Sequence, residues 1–210
     1  TAELHLFPPV LAMNTKDTVL VKPEPRDRDG NDLSGSGTLK LTDVSGSASV
    51  TAERVKAPDA PVDEPTFTEI RLTSGETATD VPEMVNISYT YTVGDKEYTG
   101  TSAIRVTVVQ QPELKKGEGG YTLTFPPEKF QAVQVNQPYP EGVEVKVEEN
   151  VIILTPEAPL EKEREITLDV MLTIDGQQYS LDVTVTLPPE EEEPEAPPKE
   201  PEGPEGPEEP

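Results

Sequence analysis

The sequence predicts an all-β protein of two tandem β-sandwiches followed by a disordered, Pro/Glu-rich C-terminal tail. Three observations predict it. First, apolar residues alternate strictly along two arms, Ile166, Leu168, Val170, Leu172, Ile174 and then Tyr179, Leu181, Val183, Val185, Leu187, which is the period of half-buried strands. Second, Asp175-Gly176 separates the arms, and a type I′ hairpin turn needs positive φ at both central residues. Third, the pattern recurs earlier: Ile87, Tyr89, Tyr91 and Val93 are in phase, and Gly94-Asp95 follows with glycine first, as a type II′ turn requires. One hairpin is used twice, each time to close a sandwich.

A second echo marks the starts. Leu4 and Leu6 alternate ahead of Phe7-Pro8-Pro9, and YTLTF runs into Pro126-Pro127. Proline pairs suit strand exits because they remove ladder donors. Phe7 to Phe125 spans 118 positions and Tyr98 to Tyr179 spans 81, so the first unit carries 37 additional residues (118 − 81). These are expected chiefly in its loops between Lys22 and Pro82.

Taken in order, residues 18–22 (TVLVK), 38–42 (TLKLT), 48–55 and 67–72 read as strands of the first unit. The run 27–32 is dense in turn formers, and 56–65 (KAPDAPVDEP) is a Pro- and acid-rich loop. Residues 1–110 form the first domain. Residues 111–120, with Lys115-Lys116 and glycines, read as a flexible linker. Residues 121–188 form the second domain, with FQAVQV, VEVKV and VIILT as strands before its closing hairpin. Residues 189–210 are the acidic tail, where Pro and Glu favour an extended chain.

Composition excludes several classes. Only 33% of the 210 residues are hydrophobic and 5% aromatic, without Trp or Cys, so two thin cores suit the chain better than one large one. The absence of Cys removes disulfides, zinc–thiolate and iron–sulfur sites, and thiol nucleophiles. A formal net charge of −24 repels phosphate backbones and anionic membranes, so neither nucleic acid nor membrane insertion is expected. No segment reaches membrane-spanning length, and no leader or lipid anchor is evident.

Few residues are candidates for chemistry. Asp27, Asp29, Asn31 and Asp32 could offer oxygen ligands to Ca²⁺. Gly30 stands fourth in that run rather than sixth as an EF-hand requires, and a plain inter-strand turn is the stronger reading. No other cofactor is expected. His5, the lone histidine, is out of phase with Leu4 and Leu6 and faces solvent or a neighbouring chain. No nucleophile elbow accompanies it. Acid pairs are plentiful, but without Trp there are no strong sugar platforms for a glycosidase. Tyr89 and Tyr91 share the apolar phase and belong to the core. Asn86-Ile87-Ser88 fits an N-glycosylation acceptor. Leu4, His5, Leu6 and Phe7 form a first strand able to pair with another subunit.

Asp17-Thr18-Val19-Leu20-Val21, followed by Asp27-Arg28-Asp29-Gly30-Asn31, resembles the bacterial immunoglobulin-like repeats of invasin-type adhesins and of phage virion proteins. The resemblance covers the first unit and the ends of the second. It departs from the family in the Pro-rich loop 56–65 and in lacking a long repeat array. It implies Greek-key, immunoglobulin-like sandwiches acting as spacers, decoration or adhesive modules, with no catalytic residues to transfer. The expected function is therefore a non-enzymatic virion surface component, a decoration or tail-associated protein, assembling with protein partners or with itself. The alternative is a secreted bacterial or archaeal cell-surface or pilus-like subunit using strand exchange. A module for a host glycan or receptor, an engineered chain and, last, a hydrolase are further readings.

Overall fold

The structure of the protein, a computed structural model, describes residues 4–190. The tail beyond Glu190 lies outside the described residues. Among the described residues sixteen strands run in order: β1 (His5–Phe7), β2 (Val10–Asn14), β3 (Thr18–Val21), β4 (Glu24–Arg26), β5 (Thr38–Ser45), β6 (Val50–Lys56), β7 (Phe67–Ser74), β8 (Glu83–Val93), β9 (Lys96–Val109), β10 (Lys115–Gly117), β11 (Gly120–Thr124), β12 (Ala132–Val135), β13 (Val143–Glu148), β14 (Val151–Pro156), β15 (Arg164–Ile174) and β16 (Gln177–Leu187). The fold is all-β, as two tandem immunoglobulin-like Greek-key sandwiches.

In the first sandwich the sheet β2-β9-β8-β5 faces β3-β7-β6, with β1 paired to β4. The first strand divides between the layers. β1 runs antiparallel to β4, placing Leu6 opposite Pro25. After Pro8-Pro9 the chain crosses over, and β2 runs parallel to β9, from Val10 opposite Arg105 to Asn14 opposite Val109. Proline suits this crossing because it cannot continue a ladder. The second sandwich faces β10-β11-β14-β13 with β12-β15-β16.

Alternation builds both cores. Val85, Ile87, Tyr89 and Tyr91 on β8 and Ile104, Val106 and Val108 on β9 are buried in one cluster with Leu41, Ile70 and Leu72. Ile166 to Ile174 and Tyr179 to Leu187 supply the other, with Leu123, Phe125, Ile152 and Leu154. Each such side chain contributes roughly 1.5–3 kcal/mol on burial. The turns are those the sequence predicts. Asp175 and Gly176 both have positive φ, 49° and 78°; in the first hairpin Gly94 has φ 56°, the pattern of type II′.

Three expectations are corrected. The two Phe-Pro-Pro sequences are not equivalent: Phe7 ends β1 and is 41% exposed, whereas Phe125 follows β11 and is fully buried. The matching strand of the first unit is β3, because Val21 pairs with Ile70 as Leu123 pairs with Ile152. Val21 to Ile70 spans 49 positions and Leu123 to Ile152 spans 29. Twenty of the additional residues (49 − 29) therefore lie between these strands, in 22–37 and 57–66; the loop 75–82 holds none of them. Tyr98 and Tyr179 also differ, at 47% and 1% exposed.

The segment expected as a flexible hinge is packed. Lys115–Gly117 forms β10 against β11, and Leu114 packs on the second core. Val10, Ala12 and Val109 of the first sandwich join that same cluster. Three hydrogen bonds cross the junction: Asn14 Nδ2 to the Asp182 carbonyl at 3.0 Å, Gln111 Nε2 to that of Thr184 at 2.9 Å, and Lys129 Nζ to that of Thr79 at 2.6 Å.

Candidate interaction surfaces

Strand direction gathers the expanded loops at one end. Thr38 lies opposite Thr92 beside the hairpin turn, and Ser45 opposite Asn86. β6 runs back toward that turn, so 27–37, 57–66 and Gly94-Asp95 share the end remote from the second sandwich. The loop 75–82 lies at the opposite end, where Lys129 meets Thr79.

The first-strand residues sit at the remote end, and they are not a free strand. His5 is exposed; Leu6 is 3% exposed within the core; Phe7 lies under the Arg26 guanidinium at 3.8 Å. Leu4 is half-buried, and its carbonyl accepts the Tyr89 hydroxyl at 3.1 Å. The Tyr91 hydroxyl donates to the Leu33 carbonyl at 2.7 Å. Both tyrosines are core-facing; Tyr89 ties the N-terminal segment to β8 and Tyr91 ties the loop between β4 and β5 to it. Gly100 makes room for one of them, since a Cβ there would stand 2.5 Å from Tyr89 Oη. Gly100→Val is expected to displace Tyr89, free Leu4 and cost about 1–3 kcal/mol by overpacking; denaturant melts with amide exchange at residues 4–7 check it.

The Asp27 run folds as a turn. Asp27 Oδ1 accepts from the backbone N–H groups of Asp29 and Asn31, both at 2.9 Å, and Oδ2 from Asn31 Nδ2 at 2.9 Å. Asp32 Oδ1 accepts the Ser34 N–H at 2.8 Å. The carboxylates are thus engaged by the loop itself. Among the described residues no group of three or more His, Cys, Asp or Glu converges as a metal cluster; Asn31 lies on the Asp27 carboxylate, but Asp27, Asp29 and Asp32 are not gathered into one such group. The Asn31 side-chain amide, then its backbone N–H, holds the Asp27 carboxyl below its ordinary value. A lowered folded value means that the stabilisation is complete above the unfolded pKa of about 3.9 and is lost as pH falls through the folded one. NMR titration is expected to show Asp27 protonating below the ordinary aspartate value, with the Asn31 amide signal shifting in step.

Two strand edges stand out. β9 pairs with β8 from Lys96 to Val106, but β2 covers its other side only from Arg105 to Val109. The stretch Lys96–Ala103 therefore keeps one side free of any ladder among the described residues. The other edge is closed by a side chain. Arg54 on β6 sends Nη1 to the carbonyls of Leu41 (3.2 Å) and Thr42 (2.5 Å), and stacks on Phe67 at 4.1 Å. The Leu41 carbonyl lies at the bulge in β5. An inward-pointing charge is a standard way to blunt an edge strand. Sequence reading missed this clamp, though its signal was present: Arg54 occupies the apolar phase of Val50 and Ala52.

No family model matches the chain, and no curated protein does. Solved structures match more distantly. Mouse clustered PcdhgC3 EC1-3 is 9% identical with a TM-score of 0.32, over 89% of this chain and 67% of that one. The human desmocollin-1 ectodomain is 15% identical with a TM-score of 0.25, over 90% of this chain and 36% of that one. Domains 5-6 of the S-layer protein SbsC are 11% identical with a TM-score of 0.25, over 89% and 95%. The chain spans little more than a third of the desmocollin ectodomain. Likeness at this level assigns neither a family nor a function. Among the described residues no helix is long and apolar enough to cross a membrane.

Proposed function

We propose that the chain is a non-catalytic structural and interaction protein of a virion surface, a decoration or tail-associated component held through a β-sandwich edge. The observation that carries this reading is the free side of β9 from Lys96 to Ala103, because an unpaired row of N–H and C=O groups accepts a further strand. The resemblance of Asp17–Val21 and Asp27–Asn31 to phage and invasin-type repeats supports it. The acidic surface, at a net −24, favours protein partners over nucleic acid.

The second reading is a secreted bacterial or archaeal cell-surface or pilus-like subunit, with a host glycan or receptor as a further partner. Strand exchange through Leu4–Phe7 would withdraw Leu6 from its core, so edge addition is the better route. Immunogold labelling of the producing culture tests both. Label on particles is expected; label on the cell envelope favours the second reading; label confined to the cytoplasm overturns both. The proposed units are residues 1–110 and 121–188 joined by 111–120, and limited proteolysis that cleaves within 111–120 to leave two resistant fragments would support that division.

A further inference from the structure

We propose that the open side of the second sandwich binds an extended, arginine-bearing segment of a partner protein. The two sandwiches share a register that makes their positions comparable. Val21 faces Ile70 as Leu123 faces Ile152. Arg54 lies opposite Ile70, and Val147 lies opposite Ile152. Phe67 precedes Ile70 by three positions, and Glu149 precedes Ile152 by three. Leu41 lies opposite Tyr89 and Val135 opposite Val170, each nine positions before the hairpin tyrosine, Tyr98 or Tyr179. The four residues of the first sandwich's clamp, Arg54, Phe67, Leu41 and Thr42, thus correspond to Val147, Glu149, Val135 and Asn136.

All four counterparts line one open cavity of about 450 Å³, together with Tyr139. The second sandwich has the acceptor strand and lacks the cation. On β13 the inward phase is Val143, Val145 and Val147, with no charge to blunt the edge. Val135 and Val147 are only half-buried although they face inward, and Tyr139 is 40% exposed. Lys146 is turned away, held by Glu148 at 2.5 Å.

These features select the occupant. The first sandwich shows what fills this geometry: a planar guanidinium donating to two strand carbonyls and stacked on an aromatic ring. In the second, the strand of Val135 and Asn136 offers the carbonyl positions, Tyr139 the ring, and Glu149 a carboxylate in place of Phe67. Arginine suits this set better than lysine, because its fork donates in a plane and its face stacks. An extended backbone beside β13 would place that arginine inward and apolar neighbours over Val147. The proposal rests on the reading of the chain as an interaction protein, and it concerns a different surface from the β9 edge.

The test uses the full chain and a synthetic peptide, VTAERVK, copied from β6, with a second peptide carrying Gln in place of Arg. Expected on NMR titration are shifts confined to Val135, Asn136, Tyr139, Val147 and Glu149, with binding at least tenfold weaker for the Gln peptide. The double substitution Val147→Arg, Glu149→Phe, which rebuilds the clamp, is expected to abolish binding without lowering the melting temperature. Should it not fold, Glu149→Gln on the surface is expected to weaken binding severalfold. No shift at those residues at millimolar peptide, or equal binding of the two peptides, overturns the proposal. So does a self-association seen by sedimentation and removed by Glu149→Gln, which would make a second copy the occupant. A failed titration leaves the immunogold result and the β9 edge untouched.

Discussion

Replacing Phe125 by alanine is expected to cost the second sandwich about 3–5 kcal/mol, the range for truncating a buried aromatic side chain. The ring is fully buried and meets Phe130 edge-to-face at 5.6 Å. Its surroundings are held rigidly: the Phe125 N–H donates to the Asn150 carbonyl at 2.9 Å, and Asn150 Nδ2 returns to the Phe130 carbonyl at 2.7 Å. The loop between β11 and β12 is therefore poorly placed to collapse into the void. Small domains hold only about 5–15 kcal/mol in all, so this loss brings the second sandwich close to its threshold. Calorimetry should show its transition fall well below that of the first. Phe7→Ala is the control. That ring is 41% exposed and mainly supports Arg26, an exposed cation–π contact worth about 0.5–1 kcal/mol. Equal costs for the two phenylalanines would contradict their different positions in the fold.

Arg54→Met is expected to lower the stability of the first sandwich by about 2–4 kcal/mol. Hydrogen bonds to a charged donor contribute about 1.5–3 kcal/mol, and stacking on Phe67 adds about 0.5–1. Methionine keeps the apolar stem, so the loss reports the guanidinium rather than the packing. Amide exchange along β5, from Leu41 to Asp43, is expected to quicken, because that strand would lose its tie to β6. Unchanged exchange there, with unchanged stability, would remove the clamp as a structural element. The same variant should make the first sandwich resemble the open side of the second.

Much of this fold is legible in the sequence, for physical reasons. Period-2 alternation and the Gly94-Asp95 and Asp175-Gly176 turns fix both closing hairpins, since each is a local constraint. The turn at Asp27–Asp32 is legible for the same reason: its carboxylates bond the nearest backbone N–H groups. What escapes is long-range pairing. Phe7-Pro8-Pro9 and Phe125-Pro126-Pro127 look alike, yet β1 pairs with β4 while β11 pairs with β14, and nothing local distinguishes them. Lys115–Gly117 reads as a hinge because lysine and glycine are polar and small, but its partner is Gly120–Thr122 across a tight turn. The Arg54 clamp is half legible. A charge in the apolar phase of a strand can be read from sequence, but the carbonyls that receive it cannot.

The parallel pairing of β2 with β9 has a mechanical consequence. β2 enters its ladder at the remote end, and β9 leaves that ladder toward the second sandwich. Tension between the N-terminal side of β2 and the C-terminal side of β9 therefore acts along the strands. The rungs from Val10–Arg105 to Asn14–Val109 bear it together in shear instead of opening one at a time. Resistance to pulling is set by the rate of forced unfolding rather than by equilibrium stability. The parallel ladder thus gives the first sandwich a resistance to pulling that its modest core alone would not set.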